Sequence, residues 1–251
     1  MNLNIIKKDE QAYGEFNYGE IVENKPIGFR QDGGAQMPYS NLFYWAHAHA
    51  EVESTIGLHP HQGFEILTFI FKGTASHYDT KNKSWFPLEE GSAQIIRSGN
   101  GISHSEKVYK DSSIFQIWFD PNLRETLNHP ATYNDYKKED FPIVEIPDGK
   151  IKIYKGEGAP IEMVSKDITI KEYFLDAGKH QLNTDINKTY SAYIIEGEVR
   201  IDNNNLIKDD YFYFSDSESV EIDLPVNSRI FIIETPTKVD YLTYYQLYNR
   251  R

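Results

Sequence analysis

Cysteine is absent from the 251-residue chain. Disulfide stapling, thiolate nucleophiles and sulfur-ligated metal sites are therefore excluded, and the absence fits a reducing compartment. Positive charge is in short supply: 26 Lys and Arg face 38 Asp and Glu, leaving a net charge of −12. An acidic surface repels phosphate backbones, which argues against direct nucleic-acid binding. No apolar run approaches the length of a membrane span, and the opening MNLNIIKKDEQAYGEF has neither an extended apolar stretch nor a small-residue cleavage site. A cytoplasmic protein without a membrane partner is expected. Helix-period patterns are also few; the best is the short NLRETLNHP at residues 122–130.

Short apolar or alternating runs fill the space. EILTFIFKG, SAQIIRSGNG, SIFQIWFDP, KIKIYKGEG, ITIKEYFLDAG, YSAYIIEGEVRI, YFYFSDS and SRIFIIETP are crowded with Val, Ile, Phe and Tyr. Such residues suit pleated surfaces, and many strands at short spacing predict an all-β sandwich or barrel. Hydrophobic residues make up 39% of the chain, enough for a substantial core in one large domain or two small ones. Residues 129–150 mix polar side chains with Pro130, Pro142, Pro147 and Gly149. A boundary there gives lobes 1–135 and 136–251. A faint repeat agrees: LTFIFKGTASHYD resembles SAYIIEGEVRID, and superposing Gly73 on Gly197 sets an offset of 124. His59, His61 and His104 then fall on Asn183, Asp185 and Ser228, so the second lobe is expected to keep the scaffold without the imidazoles.

Two of the eight histidines stand one residue apart in GLHPHQGFEILTFIFKG. In a strand, residues i and i+2 share a face, so His59 and His61 project together with Pro60 turned away. Proline cannot donate to a ladder, which suggests an edge or a strand start. SGNGISHSEKV places His104 and Glu106 at the same spacing after a glycine turn. Three imidazoles and one carboxylate make the protein share of a five- or six-coordinate metal site with open positions. That donor set suits Fe(II), and also Mn, Ni, Cu, Co or Zn. Glu65 has the parity of His59 and His61, and is either a rival oxygen ligand or a partner that orients an imidazole. His47 and His49 repeat the spacing without a downstream pair and are read as strand or loop residues near the mouth. His77 reads as a wall residue; His129 and His180 read as surface residues.

These segments resemble the N-terminal domain of the pirin family. LHPHQGFEILTFIFKG, SHYD, PLEEGSAQIIRSGNGISHSE and FQIWFDP follow the family patterns HPHxGFExxTYxxxG, AHxD, PGDxQWMxAGxGIxHxE and LQLWVNLP in order and spacing. The first half is covered closely, and the second loosely through LDAGKHQL and YIIEGEV. The resemblance implies two antiparallel cupin (jelly-roll) β-barrels packed face to face in one chain, a bicupin. It implies metal ligation by His59, His61, His104 and Glu106, with Glu65 beside them, and a C-terminal barrel without metal. Gln62 departs from a commonly basic position, and Ile95-Ile96-Arg97 departs from a Trp-Met-Thr/Ser stretch; both put the substrate in question.

The resemblance further implies a quercetin 2,3-dioxygenase acting on a flavonol and O2 through one divalent metal, Fe(II) first. A nearby carboxylate is expected to take the flavonol proton, with Glu106 the first candidate base and Glu65 the second. Trp45, Phe64, Phe69, Trp118 and Phe119 are candidate walls for a planar aromatic substrate. The alternative is a non-enzymatic, iron-binding and redox-responsive regulator that docks onto a protein partner; a third is a metal cupin acting on another small molecule. The tyrosine-rich tail YLTYYQLYNR is read as a last element packed on the second barrel, and the chain as a monomer.

Overall fold

The structure, a computed structural model, describes residues 1–248. All eight apolar runs form strands, and helix is confined to short pieces such as Leu123–Thr126, which Asn122 caps by accepting the Arg124 N–H. No helix among the described residues is long and apolar enough to cross a membrane.

Two compact units are present, and each is discontinuous in sequence. The first comprises 11–140, 162–166 and the tail from 240; the second comprises 1–10, 141–161 and 167–239. A single cut between 135 and 136 differs from this division for a physical reason. Strand Asn2–Ile6 pairs with Tyr211–Ser215 and completes an edge of the second unit. Residues 162–166 and the tail satisfy buried polar groups of the first.

Each unit has one seven-stranded and one four-stranded antiparallel sheet in the same order. In the first unit the large sheet runs Thr132–Tyr136, Ala93–Arg97, Glu65–Lys72, Ser113–Phe119, Leu42–Ala50, Ile21–Ile27, Ala12–Phe16. Its small sheet runs Ser54–His61, Ile102–Val108, Thr74–Asp79, Trp85–Glu89. Strand alternation sorts the faces of the large sheet. Ile114, Gln116 and Trp118 share one face, whereas Phe115, Ile117 and Phe119 share the other and are fully buried. Ile70 and Ile114 from the large sheet meet Ala75, Leu88 and Val108 from the small one, so an apolar plug closes one end of the interior.

Above the plug the interior of the first unit turns polar. Gln94, Thr68 and Gln116 stand opposite one another on three neighbouring strands, and His77 stands opposite Glu106 on the small sheet. The corresponding row of the second unit, five residues before Gly197 as Thr68 is five before Gly73, is Phe212, Ala192 and Ile232. Its small sheet contributes Val199, Ile201, Val220, Ile222 and Leu224 to a continuous apolar core.

The repeat is therefore real, but its offset drifts. It is 124 at Gly73 and Gly197 and 116 at Ser112 and Ser228, the serines whose hydroxyls occupy the space a Cβ on those glycines would need. The hairpin between Thr74–Asp79 and Trp85–Glu89 is longer than its counterpart between Glu198–Ile201 and Asn204–Ile207, which accounts for part of the drift. Ser228 is thus no counterpart of His104. The strand matching Ile102–Val108 is Ser219–Leu224, whose inward positions are apolar.

Candidate metal centre

Strand Ser54–His61 lies at the edge of the small sheet, which explains how Pro60 is tolerated at its end. It pairs antiparallel with Ile102–Val108, setting His104 opposite His59. Three imidazoles converge as a result. Ring centroids are 4.4 Å apart for His59 and His104, 4.7 Å for His61 and His104, and 4.8 Å for His59 and His61. One ring nitrogen from each lies within 4.8 Å of the others, and no other His, Cys, Asp or Glu cluster of three that could hold a metal is found among the described residues.

The protonation chemistry fits a cation. His59 Nδ1–H donates to the Gly57 carbonyl at 2.8 Å, so Nε2 is the ring nitrogen left to face a metal. His61 Nε2 and both nitrogens of His104 are buried without a hydrogen-bond partner, an arrangement that is costly unless something fills the gap. Burial, then His104 and His59, hold the His61 imidazole down at about 3. Burial, then His59 and His77, push His104 well below its ordinary range. Both are neutral donors at physiological pH, the form in which imidazole ligates metals.

Glu106 is buried two residues beyond His104, past a register shift in the ladder. It does not join the three-histidine cluster. Its oxygens accept from Gln116 Nε2 at 2.8 and 2.6 Å, and Thr68 Oγ1 donates to Oε1 at 3.4 Å. Gln116 Oε1 in turn accepts the Trp118 indole N–H at 3.1 Å. The Trp118 ring meets His61 edge to face at 4.7 Å.

Glu65 is engaged elsewhere. Its parity with the histidines is broken by the turn at Gly63, where φ is +85°, and it opens a strand of the other sheet. Its two oxygens accept the backbone N–H groups of Val164 at 2.6 Å and Ser165 at 2.8 Å, and neither bonds to an imidazole. Glu65 thus anchors residues 162–166. His47 bonds Ser113 Oγ at 2.6 Å and His49 lies 3.5 Å from Glu51, both away from the triad. His180 bonds the Asp176 carbonyl, and His129 is exposed. His77 is buried, donates to Asp79 at 3.1 Å and stacks on Tyr133 at 4.6 Å.

An aromatic collar surrounds Trp118. Tyr44, Phe29, Phe64 and Phe43 lie 5.0, 5.8, 5.9 and 6.4 Å from it. Among the five expected walls, Phe64 and Trp118 are in this collar, whereas Trp45, Phe69 and Phe119 are wholly buried core. Phe29, Phe43 and Tyr44 complete the collar without a local sequence signal, because they come from segments outside the histidine motif. The tail also belongs here. Tyr244 packs edge-on against Phe43 and Phe64, and helix Tyr244–Tyr248 is in the first unit, not the second. The end of the tail, 249–250, lies outside the described residues. A cavity of about 280 Å³ opens between Phe29, Arg30, Phe43, Tyr244 and Tyr245.

Comparison with known proteins converges on one family. Residues 10–119 match the Pirin family model. A quercetin 2,3-dioxygenase of Escherichia coli is 26% identical over 196 residues, covering 74% of this chain and 78% of that protein. A pirin-like protein of Caulobacter vibrioides is 26% identical over 188 residues, covering 70% and 66%. The crystal structure of a bacterial pirin from Escherichia coli in complex with nickel(II) superposes with a TM-score of 0.78 at 19% identity, covering 95% of this chain and all of that one. The fold is therefore the bicupin fold of that structure.

Proposed function

Since this chain is a pirin-family protein, we propose that it is a metal-dependent dioxygenase that cleaves quercetin-like flavonols. The observation that carries the proposal is the set of buried, neutral, unpartnered imidazole nitrogens of His61 and His104, gathered with His59 beside an aromatic collar. The name of the Escherichia coli relative supports the substrate class.

His59, His61 and His104 would hold one divalent metal, with Glu106 as the fourth ligand from the neighbouring position. Imidazole with carboxylate suits Fe(II), Mn, Ni, Co, Cu or Zn; the nickel in the related pirin crystal belongs to the same set. When bound, the metal supplies Lewis acidity that lowers the pKa of a coordinated hydroxyl.

The protein's own groups do the rest. Trp118, Phe29, Phe43 and Phe64 offer ring faces and edges to a planar flavonol and orient its 3-hydroxyl toward the triad. Glu106 is the base that accepts the 3-hydroxyl proton, since it is the carboxylate next to His104 along the strand. Gln116 and Thr68 keep that carboxylate fixed. The electron-rich flavonolate then reacts with dioxygen. Glu65 has no part in this scheme, because it opens a strand of the other sheet and its oxygens hold the backbone of residues 164 and 165.

The test is direct. Protein loaded separately with Fe(II), Mn, Ni, Co or Cu, with metal content measured, is mixed with quercetin in air and the flavonol absorbance followed. Loss of absorbance that disappears in Glu106→Gln supports the reading. No turnover with any bound metal removes it, and leaves the iron-dependent regulator to be examined by comparing protein partners of the Fe(II) and Fe(III) forms.

A further inference from the structure

We propose that Gln116 and Trp118 form a positioning relay that presents the Glu106 carboxylate and ties it to the aromatic collar. The inference rests on the reading of Glu106 as a metal ligand and goes beyond it by naming what holds that ligand.

Three observations carry it. First, the relay is continuous: the Trp118 indole N–H donates to Gln116 Oε1, and Gln116 Nε2 donates to both Glu106 oxygens. An indole N–H can only donate, so it fixes which end of the Gln116 amide faces Glu106. Second, one side chain reaches two parts of the site. Trp118 lies against His61 at 4.7 Å and against Tyr44 at 5.0 Å. A ring entering the collar therefore presses on the same indole whose N–H orients the amide.

Third, the second unit is an internal control. Where the first unit has Gln116 opposite Thr68, the second has Ile232 opposite Ala192. The polar pair is present in the unit that gathers imidazoles and missing from the unit whose interior is apolar. A glutamine kept only for packing would not need an acceptor and a donor aligned at both ends. Partners of metal ligands typically contribute ten- to a hundredfold to affinity or activity, which sets the size of the expected effect.

The experiment is a double-mutant cycle on the full-length protein, with nickel(II) as the probe and its dissociation constant measured by chelator competition. Glu106→Gln and Gln116→Met should each weaken nickel binding by about tenfold or more. Trp118→Phe, which keeps a ring in the collar but removes the N–H, should weaken it severalfold. The double variant Gln116→Met/Trp118→Phe should be no weaker than Gln116→Met, because the indole acts through the amide. Multiplying effects, or nickel affinity unchanged in Gln116→Met, would overturn the relay while leaving Glu106 as a ligand. Unchanged affinity in Glu106→Gln would remove the ligand and the relay with it. Should Gln116→Met fail to fold, Trp118→Phe decides alone, and wild-type affinity in that variant counts against the relay. Nickel binding is read without flavonol, so absence of dioxygenase activity does not disturb the result. Where turnover is seen, Trp118→Phe should lower kcat with KM nearly unchanged; a rise in KM alone would mean that the indole serves only to stack the substrate.

Discussion

At the scale of single residues, the chemistry is set by what the imidazoles are denied. His61 Nε2 and both nitrogens of His104 are buried and unpartnered, and desolvation combined with neighbouring imidazoles keeps the two rings neutral. This has a signed consequence. A group whose folded pKa is depressed refuses a proton that the unfolded chain accepts, so acid favours unfolding between about pH 6.5 and about pH 3 for His61. The same refusal helps metal binding. Two ordinary imidazoles would lose roughly a hundredfold in metal affinity to proton competition on going from pH 7.5 to 5.5. His61 and His104 should contribute almost none of that loss, which nickel titrations at the two pH values will show. His104→Ala should abolish stoichiometric nickel binding by elemental analysis, since it removes the fully buried member of the three imidazoles. At this scale the sequence was informative about His59 and His61, because a two-residue spacing on a strand fixes the face, whereas His104 joins them through strand pairing. It misled on Glu65, because parity does not survive a turn at a positive-φ glycine.

At the scale of elements, turns and caps decide whether strands meet in register. Gly73 and Gly197 occupy matching hairpins with φ of +73° and +88°, and a Cβ at either would collide with a serine hydroxyl, at 2.3 and 2.2 Å. Left-handed backbone alone costs a non-glycine residue about 1–3 kcal/mol. Gly73→Ala and Gly197→Ala should each lower stability by at least that amount in urea unfolding. The tail helix gives a second test. Asp120 is buried, accepts the Tyr244 N–H, and leaves its Oδ1 unpartnered. Burial raises its carboxyl to about 7, against the opposing backbone bonds from Tyr244 and Tyr245. A folded pKa above the unfolded value gives stability that is complete below about pH 4 and is lost as pH rises through about 7. The melting temperature of Asp120→Asn relative to wild type should therefore rise between pH 4.5 and 7.5; a flat difference would mean that the carboxyl stays ionised. Strands were legible in sequence because β-branched and aromatic residues cluster in them. The docking of the tail was not, because an aromatic run carries no record of which surface receives it.

At the scale of the whole molecule, the chain divides into two units that exchange segments in sequence. Strand Asn2–Ile6 covers the edge at Tyr211–Ser215, with Lys7 paired to Asp210 at 2.9 Å and Lys8 to Asp209 at 2.7 Å. Deleting residues 1–8 should speed amide exchange in 211–215 and leave nickel binding in place, because the triad is in the other unit. The sequence by itself determined the β class and the shared face of His59 and His61, since these follow from side-chain alternation and spacing, which are local, and it carried a faint trace of the internal duplication; that His104 joins the pair was decided by the register of two strands. Tertiary structure alone decided that Glu65 anchors a distant segment and that Gln116 and Trp118 reach Glu106. It also decided that the second interior is filled with apolar side chains. Those outcomes depend on which strands become neighbours, and cross-strand register joins residues tens of positions apart that no local pattern relates.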